Sequence, residues 1–261
     1  MKKRKVSPQS GKKWMILTAV TLVVAVVLVV FFIQWRSVRE EQEKVDKGVA
    51  YLTKLEKQNV SEIGKSIDEI RAEQNLALAD SDESAVWSSF ENAAVLGDSR
   101  AVGFSFHEFL PEDRVMAQGG GKITDLPQYY DQLKALNPKA VFLCFGLNDV
   151  GIGLWPTGEE YAAECDKQIA ALQAELPDAT IYLNSILPAV GVGLDADPDY
   201  PRIGEYNEAM KTMAEEKGYH FIDNTQMVQE HQDLYQEDGL HVQPDFYKYW
   251  AANMMAGVNE S

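Results

Sequence analysis

A chain of 261 residues, 46% hydrophobic and 25% charged, has room for one large or two small domains with a real core. Its formal net charge of −16 becomes −22 once the six basic residues ahead of position 14 are set aside, so the remainder repels nucleic-acid phosphates and anionic headgroups. Two cysteines are too few for a disulfide framework, and no cluster of residues has metal-ligand spacing.

Residues 1–13 form a basic tail carrying Lys2, Lys3, Arg4, Lys5, Lys12 and Lys13. Residues 14–33 hold no charge and read almost continuously as Val, Leu, Ile, Ala and Phe, the length of a bilayer-crossing helix. A transmembrane signal anchor is predicted there, bracketed by Trp14 and Trp35. The positive-inside tendency sets the amino terminus in the cytoplasm and the rest of a single-pass chain outside. No Ala-x-Ala site follows, which argues against a cleaved signal peptide. Over 34–88 the composition turns polar, with Val45, Val49 and Leu52, then Ile63, Ile67 and Ile70, at helical spacing. A helical stalk is predicted. Gly48, Gly64 and the polar break at Glu56 to Asn59 weaken it, leaving a short dimerising coil, a helix docked on the domain and a solvated spacer as open alternatives.

From 89 to 261 short apolar runs alternate with longer amphipathic segments, the rhythm of an α/β domain. Strands are predicted at Ala93 to Leu96, Arg114 to Ala117, Ala140 to Phe145, Thr180 to Asn184 and His220 to Ile222. The third is apolar on successive positions, as in a strand covered on both faces. Helices are predicted at Arg100 to Phe109, Asp125 to Ala135, Glu159 to Leu176, Ile203 to Lys217 and Asp245 to Met255, several bounded by proline or glycine. Right-handed crossovers make this five parallel strands with helices on both faces. Cys144 reads as a buried thiol within a strand, and Cys165 sits in a helix.

The first strand runs into Gly97-Asp98-Ser99-Arg100. Alone, this is either a nucleophilic serine held at the carboxyl end of a parallel sheet or an ordinary turn with Ser99 as the N-cap of the next helix. Three more stretches fall at the same sheet edge: Gln118-Gly119-Gly120-Gly121, Gly146-Leu147-Asn148-Asp149 and Asp238-Gly239-Leu240-His241. In this order and spacing the four blocks resemble the SGNH hydrolases, the GDSL esterase/lipase family, over about residues 90 to 258. With the predicted anchor, the likeness is to a membrane-anchored bacterial type. The family pattern departs here at Arg100, where leucine is usual, and at the second block, which lacks the polar residue often found before the family's glycine.

The resemblance implies a three-layer α/β/α sandwich around a five-stranded parallel, flavodoxin-like sheet. It also implies a catalytic Ser99, with His241 as general base and Asp238 orienting the imidazole. An oxyanion hole follows from the Ser99 N–H, the Asn148 amide and the N–H of Gly120 or Gly121. It calls for no cofactor and no metal. Arg100 is a candidate contact for an anionic substrate group or else a partner for Asp98. Trp155, in the glycine-bounded loop 151–158, is a candidate for stacking on a sugar. The expected function is an extracytoplasmic serine esterase that removes short acyl groups, acetyl above all, from envelope glycans. The alternatives are an O-acyltransferase on envelope polysaccharide and a catalytically silent scaffold. Expected partners are an acylated glycan or other small ester, the membrane, and a second copy paired through the stalk.

Overall fold

The computed structural model describes residues 35, 36, 39, 47, 77 and 79, and then 80–259. The chain divides into two units, Met1–Lys65 and Ser66–Ser261. In the first, the four described residues are helical, and the Arg39 guanidinium lies over the Trp35 ring, 4.8 Å from its centroid. The predicted span 14–33 lies outside the described residues. Among the described residues no helix is long and apolar enough to cross a membrane. The expected anchor, its single-pass extracytoplasmic topology and pairing through a stalk thus find no support among the described residues.

The second unit is built on strands β1 (Ala93–Gly97), β2 (Val115–Ala117), β3 (Ala140–Cys144), β4 (Thr180–Asn184) and β5 (His220–Ile222). All neighbours pair in parallel, in the order β2-β1-β3-β4-β5. The strands form because their apolar residues supply both faces of the sheet. Ala94, Leu96, Val141, Leu143, Ile181 and Leu183 point into one core, while Ala93, Val95, Phe142, Cys144 and Tyr182 point into the other.

The first core is closed by α3 (Tyr130–Leu136), α5 (Gly158–Glu175) and α6 (Ile203–Lys217), through residues such as Leu133, Tyr161, Ile169, Tyr206 and Met210. The second is closed by α1 (Glu83–Ser88), α2 (Ser99–Phe106), α7 (Thr225–Glu230) and α8 (Phe246–Asn259), through Val86, Phe104, Val228, Phe246 and Trp250. Each large apolar side chain fully buried this way contributes roughly 1.5–3 kcal/mol.

The segment predicted as the end of the stalk belongs to this second core. Asp82 caps α1, Val86 and Phe90 are buried, and the Trp87 ring stacks on Phe109 with centroids 4.8 Å apart. The Tyr249 hydroxyl of α8 donates to Asp80, holding the residues just before α1 to the last helix of the unit. Two short helices escaped the sequence reading: α4 (Leu147–Gly151) and α7. Both are shorter than two turns, too brief to show periodicity.

Strand order reverses beside β1, whose neighbours are β2 on one side and β3 on the other. Such a switch point opens a crevice outside the carboxyl ends of the strands. Register aligns those ends, since Gly97 pairs with Ala117 on β2 and with Cys144 on β3. The loops after all three strands therefore leave the sheet at one level.

Candidate active site

β1 ends at Gly97, where a Cβ would lie 2.5 Å from the Cys144 carbonyl oxygen and 2.6 Å from the Ala101 Cβ. Only glycine lets the chain pass there into α2. Asp98, not Ser99, is the N-cap: its carboxylate accepts the Arg100 N–H at 3.0 Å. Ser99 is the first residue of the helix, so its N–H has no helical acceptor and sits at the positive end of the dipole. It is half-buried, at the mouth of the crevice.

The imidazole arrives from 142 residues away. Ser99 Oγ lies 3.0 Å from His241 Nε2, and His241 Nδ1 lies 2.7 Å from Asp238 Oδ2. An ionised carboxylate only accepts, so Nδ1 carries the proton and Nε2 presents its lone pair to the serine hydroxyl. The other carboxylate oxygen, Asp238 Oδ1, accepts the N–H groups of Leu240 and His241, both at 2.9 Å, which fixes the loop that carries the ring. Burial opposes the charge on Asp238, but the His241 ring and these two N–H groups outweigh it and hold the carboxyl below its usual range. Gly239 brings the loop against the segment after β4, its carbonyl accepting the Val190 N–H at 2.9 Å. The His241 and Asp238 side chains stay 39% and 44% exposed, open enough for a substrate and for water.

Across the crevice, Gln118 to Gly121 form a turn closed by the Gly121 N–H donating to the Gln118 carbonyl at 3.1 Å. Gly120 takes φ +74 in that turn, a conformation that favours glycine. The Gly121 N–H is spent on the turn, whereas Gly120 is exposed at its tip. Gly121 instead packs beneath, where a Cβ would lie 2.9 Å from the Gly97 carbonyl oxygen. Asn148, near the start of α4, donates one amide hydrogen to the Gly121 carbonyl at 3.1 Å, leaving the second for another acceptor. Ser99, Asn148 and the Gly119 to Gly121 turn thus leave adjacent strand ends, and His241 and Asp238 come to Ser99 from the carboxyl-terminal loop.

Two candidates for substrate contact are placed otherwise. Arg100 is buried and points into the protein, where it meets Asp98 and the Leu187 carbonyl. It cannot reach an anion in the crevice. The Trp155 ring is half-buried against Tyr161, with centroids 5.4 Å apart, and packs on the first core. The remaining histidines pack on aromatic rings: His107 on Tyr247, His220 on Tyr182 and His231 on Tyr249. Cys144 and Cys165 are unpaired, and burial pushes both thiols up, so neither competes with Ser99 as a nucleophile. Among the described residues no cluster of His, Cys, Asp or Glu could hold a metal.

Sequence reasoning passed over Asp149. Its side chain is buried, with Oδ1 accepting the Ile123 N–H at 3.1 Å and Oδ2 buried without a hydrogen-bond partner. Burial, aided by the nearby Asp98 charge, pushes its pKa up to about 7 against the pull of the Ile123 N–H. The folded protein therefore holds a proton there that the unfolded chain releases near pH 4. The stabilising contribution is complete below pH 4 and is lost as pH rises toward 7. Urea titrations should show wild type losing on the order of a few kcal/mol across that window, with the slope flattened in Asp149→Asn. Parallel pH dependence in the two proteins would contradict this.

A serine, an imidazole and a carboxylate in hydrogen-bonded line, with amide donors opposite, define a serine hydrolase acting on esters. The GDSL-like Lipase/Acylhydrolase family model matches residues 91–249, and the chain belongs to that family. No curated protein matches it. Among solved structures, a GDSL-like lipase from Bacteroides thetaiotaomicron is similar in fold, with TM-score 0.53 and 15% identity over 66% of this chain and 89% of that one. A lipase/acylhydrolase from Enterococcus faecalis gives TM-score 0.50 and 19% identity over 62% of this chain and 93% of that one. The family match carries no support for a membrane-anchored type, and among the described residues no helix is long and apolar enough to cross a membrane.

Proposed function

We propose that the enzyme removes a short acyl group, acetyl foremost, from a hydroxyl of a carbohydrate through an acyl-Ser99 intermediate. Ser99 Oγ attacks the ester carbonyl carbon while its proton passes to His241 Nε2. The oxyanion is met by the Ser99 and Gly120 N–H groups and the free amide hydrogen of Asn148. Collapse breaks the bond to the alkoxy oxygen, which takes the proton from His241 and leaves as the sugar alcohol. Water then gives a proton to His241 and attacks the acyl-serine, releasing the carboxylic acid and restoring Ser99. Asp238 keeps the imidazole in the required tautomer and stabilises the imidazolium.

The observation that bears on the substrate class is an open hollow beside the catalytic loop. About 510 Å³ in volume, it is lined by Tyr235, Gln236, Glu237, Asp238 and Gln243. None of the five residues that line it is aliphatic, so it offers no groove of the kind a fatty chain needs. The envelope setting was tied to the membrane anchor and goes with it. A catalytically silent scaffold leaves the Ser99–His241–Asp238 line without a purpose.

A series of aryl esters tests this. kcat/KM should be highest for acetate and fall at least tenfold by octanoate, and acetylated oligosaccharides should release acetate with wild type but not with Ser99→Ala. A preference for octanoate would point to lipid esters instead.

A further inference from the structure

We propose that Arg100 is a positioning residue, a buried guanidinium that holds the nucleophile turn in register with the oxyanion loop and the histidine loop. The inference rests on Ser99 being the nucleophile. Arg100 Nε and Nη2 donate to the two oxygens of Asp98 at 3.3 and 3.2 Å, and Nη1 donates to the Leu187 carbonyl at 2.6 Å. Asp98 Oδ2 also accepts the Leu147 N–H at 3.3 Å, one residue before Asn148. Both side chains are almost wholly buried. The pair therefore touches the loops after β1, β3 and β4 at once. From Leu187 the same loop runs to Val190, whose N–H donates to Gly239 between Asp238 and His241. On the other side, the Tyr247 hydroxyl of α8 donates to the Arg100 carbonyl at 2.8 Å.

The chemistry requires arginine. A planar fork supplies two bonds to one carboxylate and a third to a carbonyl beyond it, whereas a lysine ammonium meets that set only in part. A buried ion pair adds little net stability over an apolar pair, because desolvation offsets attraction. Its contribution here is geometric: Ser99 lies between its two members in sequence and cannot shift without moving them.

The test compares wild type, Arg100→Lys and the neutral double variant Asp98→Asn/Arg100→Met, which leaves no lone buried charge. Three readouts are taken: fluorophosphonate labelling rate at Ser99, kcat and KM for an aryl acetate, and Tm. The double variant should fold and label on the order of 10²-fold more slowly, the loss expected from a small misplacement of reacting atoms. Its KM should change less than threefold, and Arg100→Lys should recover part of kcat. Wild-type labelling by a folded double variant would overturn the positioning role while leaving the serine mechanism intact. Failure of wild type to label at Ser99 would instead overturn the mechanism. Collapse of both variants would also overturn the proposal, since the pair would then serve the fold rather than the site.

Discussion

Replacing Ser99 with alanine is expected to lower kcat for a short-chain ester by on the order of 10⁴- to 10⁶-fold, the loss seen when a triad member is removed elsewhere. KM and Tm should barely move. Ser99 makes one side-chain hydrogen bond, to His241 Nε2, so its removal strips the nucleophile without unpairing a buried group. Asp98 caps α2 independently of the serine hydroxyl, so the helix persists. His241→Ala should lose activity on the same scale, because without the base the hydroxyl stays protonated at neutral pH. The two losses should not add, since the residues act as one unit. An active, folded Ser99→Ala protein would mean that catalysis happens elsewhere.

The second large effect is expected at Asn148. Asn148→Ala should lower kcat by roughly 10²- to 10³-fold, the cost of one oxyanion donor, with KM little changed because the donor is needed once the carbonyl becomes tetrahedral. Asn148 also holds the Gly121 carbonyl at 3.1 Å, so some of the loss comes from slackening of the glycine turn. Asn148→Asp separates the two contributions. Ionised aspartate can neither donate to the oxyanion nor to Gly121, and its charge repels the developing anion, so kcat should fall further than in the alanine variant. An aspartate variant more active than the alanine variant would contradict the donor role.

The sheet was readable because its strands are buried on both faces and leave unbroken apolar runs: Ala140–Cys144 appears within one residue of its predicted end, and Ile203–Lys217 matches the predicted helix. The hydrogen-bonded line of Ser99, His241 and Asp238 was also readable, because each residue sits in a short block whose spacing is set by local chemistry. Asp238 and His241 must be three apart for one carboxylate to hold both backbone and ring. What the sequence hid was direction. An arginine beside a nucleophile looks like a substrate contact until the structure turns it inward, and the neighbours that hold it, Leu187 and Leu147, are distant in the chain. Asp149 was overlooked for the same reason: its buried carboxyl meets the N–H of Ile123, 26 residues earlier. Trp155, a candidate for stacking on a sugar, is half-buried against Tyr161 of α5. Residues 80–88 are polar in composition, and the few apolar ones, Val86 and Trp87, join the second core through residues distant in the chain.

The central claim is a covalent intermediate on Ser99. Wild type mixed with an excess of an aryl acetate, quenched in acid within one turnover and digested, should yield one acetylated peptide with the acyl group on Ser99, and Ser99→Ala should yield none. Acylation at another residue, or turnover by Ser99→Ala at the wild-type rate, would contradict the account.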